Sequence, residues 1–283
     1  MSSSSVPARP PFSALPLDTS GPPGNAWGLY RADDQLGALN MLTPEVVAAS
    51  AAMQQSVDGF RHFGYQKAKR FYNNTPAESL TGDHLGINIW LDKGGIVGRG
   101  VLLDYASLCK RHALSIDPFS STCIPMSHIH QMVEEQKLTL RTGDILLIRV
   151  GFTAAYDKLD INAQIALAQR PSPGFLGVGP STAVLQWIWE SGFAAVAGDA
   201  PSFEQAPVRG HWRSNTLQDH VKDGGMVHQV LLGGWSVPIG ELFDLEKLSA
   251  TCSRLQRRSF FISSMPLNVP GGVASPPDAV AIF

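Results

Sequence analysis

The sequence predicts a mixed α/β domain, and three observations support this fold class. The chain has 283 residues, which suits one large domain. Hydrophobic residues make up 44% of it and charged residues 16%, as in globular chains with a large core and unlike disordered ones. Apolar runs typical of buried strands also alternate with segments of helical periodicity. We therefore expect a single domain in which strands outnumber helices and the two are interleaved.

The chain begins with a segment rich in serine and proline, SSSSVPARPP followed by DTSGPPG. This composition favours irregular structure, so we predict an arm over residues 1–24 and a folded domain over residues 25–283. Thr43 and Pro44 then have the residue types preferred at the N-cap and first position of a helix. They predict a helix over TPEVVAASAAMQQ.

Two strands are expected next, around a glycine turn. INIWLD at 87–92 and IVGRGVLLDY at 96–105 are strand-like, and Gly94 and Gly95 separate them. Further along, DILLIRVGF at 144–152 is almost continuously apolar, which is typical of a strand covered on both faces. The remaining predicted elements are a helix over 126–138 with Ser127 as candidate cap, a helix from Ser181, a strand at 193–199, helices at 226–234 and 244–252, and a closing strand at 258–267.

Charge and cysteine content exclude several classes of function. The net charge is −2, whereas nucleic-acid-binding and membrane-attaching surfaces carry a basic excess. The first residues lack the apolar core of a signal peptide, and no run approaches the ~18 apolar residues of a membrane span. Three scattered cysteines do not form a disulfide framework. We expect a soluble cytoplasmic protein with no nucleic-acid or membrane partner.

The densest polar cluster is Asp58-Gly-Phe-Arg-His62. A carboxylate and an imidazole at this spacing suit Zn²⁺, Mn²⁺ or Fe²⁺. The alternative is a capping aspartate beside a surface histidine. The residues alone leave both interpretations open.

Two further polar residues stand in apolar surroundings. His228 lies within MVHQVLL, where an unpaired ring is costly, and is either a core histidine bonded to a carbonyl or a ligand. Glu241 lies between VPIG and LFDL and needs a cation, a metal or an N-capping role for the next helix. Asp199 ends the strand FAAVAGD, which suits an active-site acid and a turn residue equally.

Five segments in this order resemble the cyclase family, metal-dependent hydrolases that include bacterial kynurenine formamidase and isatin hydrolase. They are DGFRHFGYQ (58–66), GIVGRGVLLDY (95–105), TGDILLIRVGF (142–152), AAVAGDAPSFE (194–204) and HQVLLGGWSVPIGELFDL (228–245). The resemblance implies a swivelling β/β/α domain with a mixed sheet flanked by helices, and a homodimer or larger homo-oligomer. Asp199 with Ser202 resembles the family's Asp-x-x-Ser after a strand.

The resemblance also implies a metal site. The family signature is His-x-Asp-x-Pro-x-His, with a His and a Glu from later in the chain. It implies one divalent ion, Zn or Mn, held by Asp58, His62, His228 and Glu241, with His62 and Glu241 in catalytic roles.

This chain departs from the family signature at two positions, and the segment before the signature is shorter than in relatives. Ser56 stands where the first His would fall, and Phe60 replaces the Pro. Only VVAASAAMQQS separates the LTPE segment from Val57, where relatives have a longer stretch with strands. A hydroxyl is a poorer ligand than imidazole for a borderline cation, so we expect loosely held metal and low activity.

The implied activity is hydrolysis of a C–N amide bond in an N-formyl aryl amine or a cyclic amide. Four aromatic side chains, Phe60, Phe63, Tyr65 and Trp235, would suit a small aromatic amide, and the alternative for each is ordinary core packing. Two other functions remain open. The chain could be a catalytically silent binding or assembly protein, or a lyase or cyclase using the same pocket.

Overall fold

A computed structural model of the chain describes residues 7–41, 52–53, 56–58, 64–65, 68–207, 227–276 and 278–283. Residues 52–53, 56–58 and 278 are described by their backbone alone. The helix predicted over TPEVVAASAAMQQ is wrong at Ala52–Met53, because these two residues pair with a C-terminal strand of the sheet as strand β1. The rest of that segment, His62, Phe60 and Phe63 lie outside the described residues.

A nine-stranded mixed sheet forms the centre of the described structure, in the order β1-β13-β11-β5-β7-β9-β10-β2-β12. Its middle strands β5, β7, β9 and β10 are parallel, and antiparallel strands flank them. The remaining strands form two small pairs, β3 with β4 and β6 with β8. The strands are β1 Ala52–Met53, β2 Ser56–Asp58, β3 Arg70–Phe71, β4 Thr75–Pro76, β5 Ile96–Asp104, β6 Cys123–Ile124, β7 Ile145–Arg149, β8 Gly177–Val178, β9 Ala195–Gly198, β10 Ile239–Glu241, β11 Ser259–Met265, β12 Ala274–Ser275 and β13 Asp278–Ile282.

Helices flank this sheet, so the predicted mixed α/β class is confirmed. They are α1 Ile89–Asp92, α2 Tyr105–Arg111, α3 Met126–Glu135, α4 Phe152–Tyr156, α5 Ile161–Ala168, α6 Thr182–Ser191, a π-helix at Gln229–Trp235 and α7 Glu246–Leu255. Short 3₁₀ turns occur at Phe12–Ala14, Gly37–Met41, Tyr72–Asn74 and Ala77–Ser79. Within the described part of the chain, none of the helices has the length and apolarity needed to cross a bilayer.

The central strands follow from the apolar runs. All four residues of β9 are buried, as are four of the five in β7, because elements cover both faces of the sheet there. Gly94 and Gly95 have φ angles of 92° and 80°, a conformation that favours glycine, so the predicted turn before β5 is confirmed. The helix predicted from Ser181 is confirmed as α6, which Ser181 caps by accepting from the Val184 N–H.

The strand predicted at 87–92 is wrong, because this segment contains the one-turn helix α1. Ile87 and Trp90 are both buried and lie three residues apart, which is helical spacing. The Trp90 N–H donates to the Ile87 carbonyl at 3.2 Å, so the turn satisfies its own backbone. Burial of the large Trp90 side chain therefore overrides the strand preference of isoleucine.

Two smaller predictions are also corrected. Ser127 does not cap α3, since Pro125 occupies the N-cap position without a side-chain hydrogen bond. The strand predicted at 258–267 does not close the sheet, because β13 follows it and pairs antiparallel with β11. β13 thereby separates β11 from the short edge strand β1.

The N-terminal arm is described from Pro7 onward. Hydrogen bonds and a cation–π contact hold it against α6 and the residues that follow α6. The Arg9 guanidinium donates to the carbonyls of Trp189 and Phe193, each at 3.0 Å, and lies 4.8 Å from the Trp189 ring centroid. The Trp189 indole N–H in turn donates to the Pro10 carbonyl at 2.8 Å. These contacts hold the irregular segment against the domain.

Candidate functional site

The structure places His228 between two glutamates. Its Nδ1 lies 2.5 Å from Glu204 Oε2, and its Nε2 lies 3.1 Å from Glu241 Oε1. The His228 backbone N–H also donates to Glu204 Oε1 at 3.2 Å. Glu204 therefore contacts His228 at both its backbone and its ring, which fixes the direction in which Nε2 points.

Three elements bring these side chains together. Glu241 ends β10, His228 precedes the π-helix, and Glu204 lies in the segment after β9. The Phe203 N–H donates to Glu241 Oε1 at 3.1 Å, so adjacent residues after β9 hold both partners of the histidine. Local π-helical geometry is often found at functional sites.

A close backbone contact positions Glu204. Val178 of β8 forms a parallel bridge with Glu204. A Cβ atom added at Gly177 would lie 2.4 Å from the Glu204 carbonyl carbon, so β8 can approach this closely only with glycine at position 177. The glycine therefore contributes to the placement of Glu204 beside His228.

The electrostatics of the three groups are strongly coupled. Burial alone lowers the pKa of His228, but the carboxylates of Glu204 and Glu241 raise it well above its usual value. Burial alone raises the pKa of Glu204, but contact with His228 holds it below its usual value. Glu204 is fully buried, whereas the Glu241 side chain is 19% exposed. The two carboxylates therefore differ in access to solvent.

Asp199 has a structural role in this arrangement. Its carboxylate accepts from the backbone N–H groups of Val150, Gly151 and Phe152 at 2.6, 2.6 and 3.0 Å. Gly151 has φ 83°, the left-handed conformation that favours glycine. Burial raises the pKa of Asp199 to about 6 against the opposing effect of these N–H donors. Asp199 thus anchors the start of the segment that carries Glu204.

We expect Asp199→Ala to lower the free energy of unfolding by about 3 kcal/mol or more, because three N–H donors lose their acceptor at ~1–3 kcal/mol each. Asp160→Ala is the matched control. Asp160 is an exposed cap whose side chain accepts, among its described contacts, only from the Ala163 N–H, and such a loss costs ~1 kcal/mol. Urea denaturation of both variants measures the difference. Equal losses would show that the Asp199 contacts contribute no more than an ordinary cap.

The backbone of β2 brings the predicted ligand Asp58 into the same region. β2 pairs antiparallel with β10, with Ser56 opposite Glu241 and Asp58 opposite Ile239. The fourth predicted ligand, His62, lies outside the described residues. Of the four, the structure thus describes the side chains of His228 and Glu241, which it brings together.

The described side chains supply two of the ligands that a metal site needs, His228 and Glu241. In the described ranges, no group of three or more His, Cys, Asp or Glu side chains could hold a metal ion. The 3.1 Å between His228 Nε2 and Glu241 Oε1 is close to the about 3.4 Å separating two ligands of a tetrahedral ion with bonds of about 2.1 Å. Glu204 on Nδ1 also matches the carboxylate that commonly orients a metal-bound imidazole. His228 and Glu241 are therefore compatible with two of the ligands of a divalent ion.

Comparison with known proteins decides the family. The Cyclase family model matches residues 41–205, more than half of the chain. The chain belongs to the Cyclase family. The match covers β2 and Glu204, whereas His228 and Glu241 lie beyond its last residue. No curated protein matches the chain.

Solved structures share the fold of this Cyclase family member. The crystal structure of a novel cyclase has 24% sequence identity and a TM-score of 0.75, and the match covers 92% of this chain and 99% of that one. An isatin hydrolase bound to the product analogue thioisatinate has 14% identity and a TM-score of 0.52, with 81% and 71% covered. Isatin hydrolase A from Ralstonia solanacearum has 14% identity and a TM-score of 0.52, with 80% and 70% covered. The fold implied by the sequence resemblance is confirmed.

The sequence interpretation missed Glu204 and overvalued two aromatic residues. Glu204 lies within AAVAGDAPSFE, and its only signal there is a carboxylate directly after the aromatic Phe203. Tyr65 and Trp235 are each 1% exposed and belong to the core, so they offer no surface to a substrate. Trp235 donates its indole N–H to the Gly24 carbonyl at 2.6 Å. For both residues, core packing is the correct alternative.

Proposed function

We propose that this Cyclase family member is a metal-dependent hydrolase that cleaves a C–N bond in an N-formyl aryl amine or a cyclic amide. The observation that carries the proposal is His228 held between Glu204 and Glu241. The fold shared with two isatin hydrolases supports the cyclic amide, since isatin contains one. The family match supports an enzyme of this type.

In this proposal, His228 Nε2 and Asp58 would hold one divalent ion, Zn²⁺ or Mn²⁺. Glu241 and His62 would act either as further ligands or as the groups that transfer protons. Such an ion, when bound, polarises the amide carbonyl and lowers the pKa of a water molecule toward ~7. Glu204 holds a proton on Nδ1, so the ion would bind at Nε2 in place of the proton that Nε2 shares with Glu241.

The two glutamates have different tasks because they differ in exposure. Glu204 is fully buried against His228 and cannot meet a substrate. Glu241 is 19% exposed, so its carboxylate can accept the proton of the attacking water. Where His62 is not a ligand, it would receive that proton from Glu241 and give it to the leaving nitrogen as the C–N bond breaks. Hydrolysis thereby yields a carboxylic acid and an amine.

Elemental analysis of the purified protein beside two assays tests this proposal. We expect about one divalent ion per chain and hydrolysis of N-formylkynurenine or isatin, lost with a chelator and restored by Zn²⁺ or Mn²⁺. Asp58→Ala should lose the ion and the activity together. Bound metal with an eliminated or cyclised product would instead identify a lyase or cyclase. Absence of both metal and turnover would identify a binding or assembly protein.

The homodimer or larger homo-oligomer stays a prediction. Light scattering of the purified protein tests it.

A further inference from the structure

A strongly basic cleft lies apart from the candidate site. It has a volume of about 610 Å³ and lies between β5, the start of β11 and the C-terminal ends of α2, α3 and α7. Glu135 is the one carboxylate among the described lining residues. Six cationic side chains line it: Arg99, Arg111, Lys137, Arg141, Arg257 and Arg258.

Two of these cations are neutralised by carboxylates. Arg99 makes a bidentate pair with the buried Asp144, with distances of 2.9 and 3.0 Å from its Nη1. Arg111 pairs with Glu135 at 2.7 Å, and this contact, with those from Gln131 and His112, holds the pKa of Glu135 at about 2. These pairs fix the walls of the cleft and contribute no net charge.

Arg258 is partly compensated. Its Nη1 lies 3.5 Å from Asp104 Oδ2, but Asp104 is already paired with Arg149 at 2.7 Å. This Nη1 is buried and has no hydrogen-bond partner among the described residues. The Nη2 of Arg258 donates to Ser253 Oγ at 3.2 Å, so this side chain adds a partly compensated charge to the wall of the cleft.

Three cations form no ion pair within the described part of the chain: Lys137, Arg141 and Arg257. All three are exposed at the cleft. Arg257 lies over the Phe283 ring, with 5.1 Å from its guanidinium carbon to the centroid, which orders it without neutralising it. The cleft therefore holds an excess of about three positive charges, whose mutual repulsion a polyanion would relieve.

We propose that this cleft binds a small polyanion carrying a phosphate or pyrophosphate group. Its volume lies within the ~300–1,000 Å³ of small-molecule sites. Guanidinium groups are well matched to phosphate oxygens, which they bind through paired N–H donors. The net charge of −2 disfavours a nucleic-acid polymer, which would need an extended basic surface. The cleft shares no residue with the His228 site and lies beside β5 and β11, whereas that site lies beside β9 and β10.

Calorimetric titration of the purified protein with inorganic pyrophosphate tests the proposal. We expect saturable binding at one site per chain, weakened by added salt because exposed charges are screened. The double variant Lys137→Gln/Arg141→Gln should bind at least about 10-fold more weakly, since each charged contact contributes roughly a factor of ten.

The double variant Lys158→Gln/Arg254→Gln is the matched control. It removes the same charge from exposed positions outside the cleft and should bind as the unmodified protein does. Absence of saturable binding at millimolar pyrophosphate would overturn the proposal. So would equal affinity in the unmodified protein and the cleft variant, which would place pyrophosphate elsewhere, for example on a bound metal. An equal loss of pyrophosphate affinity in both double variants would show a general effect of protein charge. That result would also overturn the proposal.

Discussion

We expect the His228→Ala variant to lose bound divalent metal and at least about 100-fold of its hydrolytic rate. In the proposed site the imidazole contributes a nitrogen ligand, and its Nε2 lies 3.1 Å from Glu241 Oε1. Ligands and the groups that orient them each contribute ~10–100-fold in affinity or activity. Metal content after gel filtration, followed by the N-formylkynurenine and isatin assays, measures both effects.

His130→Ala is the control for this experiment, because His130 is an exposed histidine on α3. It should keep the metal content and rate of the unmodified protein. If the His228→Ala variant retained its metal and its rate, His228 would be a structural core residue. The proposed hydrolase site would then have to lie elsewhere.

Glu204→Gln should weaken metal binding by about 10–100-fold while keeping the shape of the side chain. The glutamate is fully buried, and its carboxylate contacts both the ring and the backbone N–H of His228. An amide in its place no longer stabilises a proton on Nδ1 by charge. Removing one member of a buried charged pair also costs ~3–5 kcal/mol, so the metal-free variant should unfold at lower denaturant concentration.

Metal titration and urea denaturation of Glu204→Gln separate these two effects. Glu190→Gln is the matched control, since Glu190 is exposed and accepts only a hydrogen bond from Gln186 among its described contacts. It should change neither quantity. A Glu204→Gln protein with lower stability but unchanged metal affinity would restrict Glu204 to a structural role.

The parallel centre of the sheet could be predicted from sequence. DILLIRVGF and FAAVAGD are apolar runs of strand length, and a run without polar positions is stable only where both faces are covered. The structure has β7 and β9 within these runs. The glycine turn before β5 and the helix that begins after Ser181 could also be predicted, because they depend on single residues and their local geometry.

The elements that sequence reasoning misplaced depend on distant contacts. INIWLD has the composition of a strand, but Trp90 and Ile87 pack into the core from one turn of helix. The Ile87 N–H donates to the Gly272 carbonyl at 2.9 Å, far along the chain. Local propensity differs by ~1 kcal/mol or less between such conformations, so burial of a large side chain decides between them.

The sequence by itself determined that His228 and Glu241 need partners, because an imidazole within MVHQVLL and a carboxylate within VPIGELF are costly to bury alone. Only the tertiary structure decided which partners they have. Glu204 lies 24 residues before His228 and Glu241 lies 13 after it. Parallel pairing of β9 with β10 brings the segment after β9 to the end of β10, where the Phe203 N–H reaches Glu241. Contacts across such separations leave no periodic pattern in the chain, since they arise from strand order and not from local spacing.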